Sequence, residues 1–438
     1  MPGDDYQLLM TTASGKMSHG ATWSSRFWPL GLSDYSILLL FGKYGCTAVA
    51  HYIWNSLTLI FSSVLIFNFV KQTTNNSLFA LIALMLLFSS AGFTQIHMEC
   101  IYAERMIFCS LCIFMYACNK AKKTENYFLY VPAFVFATYT TYMKELVFVI
   151  FLIVAVTNLL FNKNLSKQSK IFYQLLIANS LVFLAIYVYR RIFRPSPDGV
   201  FATIISNFNE ISFMQFQNEP ILFLISAMVI FRAYNILFRH DRSNIFIDSL
   251  LFASMGYAFC YFLLKLYSGY YLFPSIVLFL PAFSMFFSKI RLGILVAFII
   301  VLLSFKSNFA YNKLLLINNF EHRKTDHIVF ENIVKRFNEG WNIYWLSDTT
   351  ELEKDAQYRY YDRMFCMNRF QHFLNYYSRT KFPITLIFNT EKIKRKSMVI
   401  VISQTLERKS FANIKTEFQK LSPKKVAELN GNIVYEIR

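Results

Sequence analysis

Long apolar segments separated by short polar loops make up the first two thirds of the chain. A transmembrane helix needs about 20 mostly apolar residues, and most of these segments approach that length, although several are short enough to merge or tilt. They lie at residues 48–70, 77–94, 101–118, 127–143, 145–161, 171–189, 221–238, 245–264, 270–287 and 292–306. The pattern predicts a mainly α protein, a polytopic transmembrane helix bundle of about ten helices.

The pattern changes after residue 306, where charge rises. Amphipathic helices are predicted around Thr325–Asn338 and Tyr358–Tyr377. Short β-rich runs follow or intervene at Asn342–Leu346, Ile384–Phe388, Met398–Ile402 and Ile433–Ile437. Asn430-Gly431 is a strong hairpin signal between 427–429 and 432–437. We therefore predict a transmembrane domain over 1–306, which opens with an external segment 1–34, and a small C-terminal α/β domain over 307–438.

Composition agrees with a membrane protein. Of the 438 residues, 55% are hydrophobic and 18% are aromatic, more than a soluble protein of this length needs. The formal net charge of +18 is also typical of nucleic-acid-binding proteins, but here the basic residues form short clusters between apolar segments, as orientation signals do. We therefore predict membrane lipids, and no nucleic acid, as partners.

The basic loops alternate along the chain with loops that are poorer in Lys and Arg. Under the positive-inside rule the basic loops are cytoplasmic. They carry Lys71, Lys120, Lys122, Lys123, Lys163, Lys167, Lys170, Arg239, Arg242, Lys289 and Arg291. This assignment predicts that the N-terminus and the C-terminal domain both lie outside the cytoplasm.

An external N-terminus without a preceding helix is hard to translocate. The first 32 residues contain no apolar run long enough for a signal peptide. We therefore expect a first transmembrane helix that is missing from this sequence, through a truncated gene or a late start codon. The alternative is that the short N-terminal segment crosses the membrane unaided.

Cysteine spacing does not predict a metal site. Cys109 and Cys112 form a Cys-x-x-Cys inside an apolar segment, without a second Cys or His pair. Zinc sites of this type need four ligands. The two cysteines are interpreted as small apolar side chains.

The first candidate for chemistry is the acidic pair Asp4-Asp5, which precedes the transmembrane domain. A general base must be ionisable and must reach the proton it takes. Two adjacent carboxylates would allow one to act as the base while the other orients it. Alternatively, the two could hold a divalent metal. The alternative is a solvated acidic N-terminus.

Two further pairs of charged residues lie at the predicted outer edges of apolar segments, namely Glu104-Arg105 and Lys144-Glu145. Ionisable residues at a membrane edge are costly to bury and are candidates for function. Arg105 and Lys144 are each suited to binding a phosphate. The alternative for both pairs is a local ion pair that anchors the helix at the interface.

Basic residues also break the charge rule on the outer side. Arg190, Arg191 and Arg194 begin a long external loop, and an anionic lipid-linked substrate would explain them, as would lipid headgroups. Lys265 and Tyr270 belong to a tyrosine-rich stretch that an aromatic belt at the interface would explain equally well.

Several of these motifs, in this order and on one predicted side, resemble those of bacterial membrane-embedded GT-C glycosyltransferases, which take sugar from a polyprenyl-phosphate donor. The motifs are Gly3-Asp4-Asp5-Tyr6, Ser25-Arg26-Phe27-Trp28-Pro29-Leu30-Gly31, Tyr102-Ala103-Glu104-Arg105, Tyr142-Met143-Lys144-Glu145 and Tyr270-Tyr271-Leu272-Phe273-Pro274. The resemblance spans roughly residues 3–310, and each motif is short. It implies a multi-pass protein of the bacterial inner (cytoplasmic) membrane, in which 1–34 is an external catalytic loop.

The resemblance implies an inverting transfer of a hexose or pentose to a surface glycan or lipid-linked acceptor. Asp5, or less favourably Asp4, would be the base, and the substrate-binding residues would be Glu104, Arg105, Lys144, Glu145, Arg190, Arg191, Arg194, Lys265 and Tyr270. No nucleotide cofactor is expected, and a role for a divalent metal stays open. Two other classes compete, a transporter or flippase of lipid-linked glycans and a polysaccharide polymerase or ligase.

Overall fold

A computed structural model describes most of the chain. The described residues are 27–38, 47–100, 102–193, 219–264, 269–346, 371, 383–387, 389–402, 412–429 and 432–438. The second predicted amphipathic helix, Tyr358–Tyr377, falls almost entirely outside these ranges, as do the two turn residues of the predicted hairpin.

Helices dominate the described part up to residue 338. They are α1 Thr47–Thr74, α2 Ser77–Ser89, α3 Ala91–Met98, α4 Glu104–Thr124, α5 Tyr130–Thr141, α6 Phe148–Phe161, α7 Lys167–Phe193, α8 Ile221–Leu237, α9 Ile245–Leu263, α10 Gly269–Ser288 and α11 Gly293–Asn338, with short 3-10 helices at Ser33–Leu38 and Tyr127–Leu129. Every apolar segment predicted from the sequence therefore contains helix. The chain divides into two compact units between Leu314 and Leu315, and α11 contributes residues to both.

The number of membrane spans is smaller than the number of helices. Among the described helices, four are long and apolar enough to cross a bilayer, namely those containing Val49–Thr74, Lys167–Arg190, Ile245–Leu263 and Gly269–Ser288, and the bent pair α2–α3 makes a fifth if counted as one span. A bundle of about ten transmembrane helices is therefore not confirmed. The 12 residues of α5 and the 14 of α6 are too short for a 30 Å hydrocarbon layer at 1.5 Å per residue, and α4 has charged residues at both ends.

A sharp break divides the predicted segment 77–94. Ser90 adopts an extended backbone, ends α2 and caps α3, where its side-chain oxygen accepts a hydrogen bond from the Phe93 amide. The two helices meet at an angle of 67°. Hydrophobicity alone does not register such a break, because apolar residues continue on both sides of it.

The break brings α3 against the start of α10. Gly92 faces Gly269 so closely that a β-carbon at Gly92 would lie 2.5 Å from the Gly269 carbonyl oxygen and 2.8 Å from the Phe273 β-carbon. The Tyr270 amide donates to the Gln95 side-chain oxygen at 2.8 Å, which fixes the crossing. Small residues allow this approach, as they do where membrane helices pack closely.

The C-terminal unit is built around a mixed five-stranded sheet. Its strands are β1 Asn342–Leu346, β2 Thr385–Ile387, β3 Ser397–Ile402, β4 Lys424–Leu429 and β5 Asn432–Ile437, in the order β2-β1-β3-β5-β4. β1 pairs in parallel with β2 and β3, whereas β5 pairs antiparallel with β3 and β4. The combination of helices with strands and the antiparallel pairing of β4 with β5 agree with the α/β prediction for this region.

The sheet is covered on both faces, which explains the continuous apolar run of β1. Successive strand residues point to opposite faces. Ile343 and Trp345 pack with Phe330 of α11, and Tyr344 and Leu346 pack in the cluster that contains Phe418 of α12 Ala412–Lys420. A strand buried on both faces has no polar alternation, so the useful signals are its length and its β-forming residues Ile343, Tyr344 and Trp345.

We expect Gly92→Ala to destabilise the protein by about 1–3 kcal/mol, because the new methyl group meets backbone that cannot move without separating α3 from α10. Gly256→Ala is the matched control. Its methyl group would meet only the end of the flexible Ile153 side chain, so a small effect is expected. Thermal unfolding of both variants in detergent measures the difference, and equal losses would contradict close packing at Gly92.

Candidate functional site

A short segment before α1 forms one wall of the site. The Leu30 amide donates to the Tyr142 carbonyl oxygen at 3.1 Å, and the Ser33 hydroxyl lies 2.8 Å from the Tyr139 hydroxyl. A side chain at Gly31 would collide with the Trp28 ring, so glycine permits this turn to pack on itself. These contacts hold the 3-10 helix Ser33–Leu38 against the end of α5, and that helix carries Asp34.

Asp34 is the carboxylate at the centre of this wall. Its Oδ2 accepts hydrogen bonds from Arg105 Nη2 at 2.6 Å and from Trp54 Nε1 at 2.7 Å. Its Oδ1 is buried and has no hydrogen-bond partner among the described residues. The carboxylate is therefore held firmly through one oxygen while the other stays available to a proton donor.

Arg105 is the most deeply buried cation of the site. Only 1% of its side chain is exposed. It donates to Asp34 and to the Thr58 hydroxyl, and its guanidinium lies 4.4 Å from the centre of the Tyr35 ring. Its Nε is buried without a partner among the described residues. Burial of a charge in this setting requires a counter-charge, and Asp34 supplies it.

A second ion pair lies one residue away along α4. Lys144 Nζ is 3.0 Å from Glu104 Oε1, with 13% and 0% of the two side chains exposed. The two opposite charges balance each other, but neither Glu104 oxygen has a well-aligned hydrogen bond among the described residues. Burial alone would lower the pKa of Lys144, but the charge and hydrogen bond of Glu104 together with Tyr271 and Glu145 raise it above its usual value, so the ammonium stays charged at neutral pH.

Aromatic rings surround the Lys144 ammonium. Its Nζ lies 5.8 Å from the Trp28 ring, 5.4 Å from Tyr270 and 5.1 Å from Tyr271. Tyr270 in turn stacks on Tyr102 with ring centres 4.0 Å apart. Rings at these distances stabilise a cation and also offer flat apolar faces of the kind on which sugar rings stack.

The site is recessed from the end of the helix bundle. Tyr142, in the turn between α5 and α6, packs on Phe183 of α7 with ring centres 5.2 Å apart. Helix α7 continues from Phe183 to Phe193, which is about 15 Å at 1.5 Å per residue. The short lengths of α5 and α6 thus place the turn that carries Lys144 below the end of its longer neighbour.

An apolar groove lies along α1, the helix that also carries Trp54 and Thr58. It has a volume of about 720 Å³ and runs along one face of α1 toward α2 and α3. It is lined by Ser56, Leu59, Ile60, Ser63, Val64, Phe67, Asn68, Leu84, Phe88, Phe93 and His97. Ser56 at one end of the groove is two residues from Trp54 and Thr58, which contact Asp34 and Arg105. Residues two apart on a helix lie on different faces, so the groove and the ion pairs use different faces of α1. The groove suits a long hydrocarbon chain.

The structure brings several predicted site residues together and leaves others outside its described part. Glu104, Arg105, Lys144 and Tyr270 all belong to the cluster, and Glu145 is buried next to Lys144, whose pKa its charge helps to raise. The remaining predicted residues Asp4, Asp5, Arg194 and Lys265 lie outside the described residues, as does the side chain of Arg191.

Arg190 lies on the same side of α5 as the cluster. Its guanidinium is 4.6 Å from the centre of the Phe27 ring, and that ring lies against Tyr142 and Phe183. This contact ties the start of the predicted basic loop to the turn that precedes Lys144.

Sequence reasoning missed the residues that complete the site. Asp34 and Thr58 accept hydrogen bonds from Arg105, and Trp54 donates to Asp34, but no motif or spacing marks these three residues. The available signal is an acidic residue that precedes the first predicted apolar segment, 48–70, the same signal that draws attention to Asp4-Asp5. Tyr271 was part of a quoted tyrosine-rich stretch but was not singled out.

A separate buried carboxyl lies at Glu219, just before α8, with 1% of the residue exposed. Burial raises its pKa to about 7, although the Asn308 side chain and the Ala91 backbone amide oppose the shift. Its Oε1 has no hydrogen-bond partner in the described part of the chain. In the sequence Glu219 is one acidic residue near the end of the long loop that begins with Arg190, and nothing in the pattern predicts its burial between α11 and the α2–α3 break.

The cluster thus offers a held carboxylate, two buried cations and stacked rings, and an apolar groove runs along another face of α1. Among the described residues, no group of three or more His, Cys, Asp or Glu side chains gathers closely enough to hold a metal ion. No known family model matches the sequence, and neither a curated protein nor a solved structure is significantly similar to it.

We expect Arg105→Gln to destabilise the protein by about 3–5 kcal/mol, because it leaves the Asp34 carboxylate buried without its cation. Asp34→Asn should also destabilise, and the Asp34→Asn/Arg105→Gln double variant should lose much less than the sum of the two. Thermal unfolding in detergent gives the three values. Lys425→Gln, which breaks an exposed ion pair with Glu428, is the control and should leave the midpoint unchanged. Additive losses would refute coupling between Asp34 and Arg105.

Glu219 predicts a pH dependence of stability. A carboxyl whose folded-state pKa is raised stabilises the fold while protonated, so stability should fall as pH rises from about 5 to about 8, by up to about 3 kcal/mol. Glu219→Gln should abolish this fall and be more stable than the wild type at pH 8. The exposed Glu339→Gln should keep the wild-type pH dependence. An unchanged pH profile in Glu219→Gln would show that another group titrates.

Proposed function

We propose that this protein is an integral membrane glycosyltransferase that moves a sugar from a polyprenyl-phosphate donor to a surface glycan or lipid-linked acceptor. The observation that carries the proposal is the convergence of three separate sequence motifs, around Glu104, Lys144 and Tyr270, on one recessed cluster. An apolar groove runs along another face of α1, the helix that carries Trp54 and Thr58. The cations suit the phosphate of such a donor, the aromatic rings suit its sugar, and the groove suits its hydrocarbon chain.

The cations suit the departing phosphate. In the proposed reaction the acceptor oxygen forms a bond to the anomeric carbon, the bond from that carbon to the phosphate oxygen breaks, and the lipid phosphate leaves as an anion. A fixed positive charge in a water-poor site stabilises a charge that develops in the transition state. Lys144 is paired with Glu104 but is better placed than Arg105, because 13% of its side chain is exposed, against 1% for Arg105, and rings form much of its described surroundings. Arg105 is already engaged by Asp34 and would act mainly by holding it.

A carboxylate must take the proton of the acceptor hydroxyl. Asp34 offers an oxygen that is free of partners within the described residues, on a carboxylate oriented by Arg105 and Trp54. Asp5 and Asp4 remain the predictions from the sequence resemblance. The two assignments make different predictions for variants, so one experiment separates them.

The rings and the groove account for the rest of the donor. Tyr270, Tyr271, Tyr102 and Trp28 form flat surfaces next to the cation. The groove along α1 would hold the prenyl chain in continuity with the membrane. Localisation in a bacterial inner membrane, with the cluster facing outward, belongs to the same proposal and is supported by the distribution of basic loops.

The experiment is mass spectrometry of surface glycans from a strain that lacks the gene, complemented with the full native reading frame. We expect loss of one sugar in the deletion strain and its restoration by the wild type. The Glu104→Gln/Lys144→Gln double variant removes both charges of the pair without leaving either one unpaired, and it should lower the transfer by at least about 100-fold. Lys425→Gln is the matched control and should restore the sugar fully.

Asp34→Asn and Asp5→Asn, tested in the same strain, identify the base, because only loss of the true base should abolish transfer. Immunoblots of membranes confirm that each variant accumulates. Full restoration by the Glu104→Gln/Lys144→Gln variant would overturn the proposed site. An altered glycan without consumption of a polyprenyl-phosphate-sugar by wild-type membranes would favour a transporter or flippase, and polymer growth with donor consumption would favour a polymerase.

A further inference from the structure

A second cavity lies at the other end of the bundle from the candidate site. It has a volume of about 430 Å³ and is lined by Met228, Phe231, Arg232, Asn235, Arg239, Asp241, Asp248, Ala282, Met285, Phe286, Lys289 and Ile290. Asp248 and Tyr261, which packs on Tyr271 of the candidate site, are at opposite ends of α9, about 20 Å apart along the helix. The proposed glycosyl transfer makes no use of this cavity, named here the basic cavity.

The floor of the basic cavity is a closed ion network. Arg232 Nε and Nη2 each donate to one oxygen of Asp248 at 2.7 Å, and Arg232 Nη1 donates to Asp241 at 2.8 Å. All three guanidinium nitrogens of Arg232 therefore donate to a carboxylate. The network fixes α8 to α9 and leaves Arg232 with no charge to offer a ligand.

The rim of the basic cavity carries two further cations. Arg239 and Lys289 are both exposed, and neither has a carboxylate within ion-pair distance among the described residues. Arg239 rests over the Tyr234 ring at 5.6 Å. The cavity is thus lined by three cations against two carboxylates, with the surplus charge concentrated at the rim.

The wall of the basic cavity is apolar and faces outward. Phe231 is 47% exposed and Ile290 is 42% exposed, and Met228 and Phe286 continue the same surface. Phe231 and Phe286 pack edge to face with ring centres 5.7 Å apart. A soluble anion would gain nothing from such a wall, whereas a molecule with both an anionic head and a hydrocarbon tail would contact the rim and the wall together.

We propose that the basic cavity binds an anionic glycerophospholipid, with its phosphate on Arg239 and Lys289 and an acyl chain along Phe231 and Phe286. Both cations belong to the loops that the charge pattern assigns to the cytoplasmic side, where anionic lipids give the membrane surface its negative potential. Basic pockets between transmembrane helices on that side are typical sites for anionic headgroups. The site is independent of the glycosyl transfer proposed above.

Native mass spectrometry of the full chain in detergent, titrated with dioleoyl phosphatidylglycerol or dioleoyl phosphatidylcholine, tests the proposal. We expect phosphatidylglycerol to bind at least about tenfold more tightly. Each cation near a membrane surface raises the binding constant for anionic lipid about fivefold. Arg239→Gln/Lys289→Gln removes two cations and should therefore weaken binding of phosphatidylglycerol by about thirtyfold. Both side chains are exposed, so the variant should unfold at the wild-type temperature without added lipid.

Arg291→Gln is the matched control, because Arg291 is an exposed cation two residues from Lys289 that does not line the basic cavity. It should bind phosphatidylglycerol as the wild type does. Equal binding of the two lipids, an unchanged affinity in the double variant, or an equal loss in Arg291→Gln would overturn the proposal. Binding of glycerol 3-phosphate as tightly as the lipid would show a site for a soluble anion instead.

Discussion

Pairing of buried charges is the constraint on which the bundle depends. An ionised side chain among apolar helices is stable only beside an opposite charge, and three basic residues meet this condition through partners on other elements. Arg105 requires Asp34, Lys144 requires Glu104, and Arg232 requires Asp248. Each pair fixes one element against another, so the segment before α1, the turn after α5 and the α8–α9 hairpin all take positions that electrostatics dictates.

The same constraint explains which site residues the sequence could reveal. Glu104, Arg105 and Lys144 stand out because charged residues at the edge of an apolar run are rare enough to be informative. Asp34 does not stand out, because it lies in an ordinary polar stretch and its partner Arg105 is 71 residues away. Periodicity and motif spacing describe local structure, and only the folded chain shows which distant charge completes a pair. Nothing in the described residues tests the role predicted for Asp4 and Asp5.

The fold shows the same division between local and distant information. β1 runs over Asn342–Leu346 as predicted, because a short apolar run rich in β-formers is a local signal. The segment predicted at 292–306 and the helix predicted at 325–338 are instead parts of one helix, α11, and no glycine or proline interrupts the residues between them. The break at Ser90 and the shortness of α5 and α6 also escaped prediction, since hydrophobicity reports that a segment is apolar but not whether it bends or stops halfway.

The link between Arg232 and Asp248 has a consequence for biogenesis. A lone arginine at the centre of a nascent helix opposes its transfer from the translocon into lipid by about 2.5–3.5 kcal/mol. Arg232 and Asp248 are 16 residues apart on adjacent helices joined by a short turn. The ribosome therefore delivers both charges almost together, and α8 and α9 can leave the translocon as a neutral hairpin. The cost of placing Arg232 among apolar helices is thus offset by a residue that is synthesised 16 positions later.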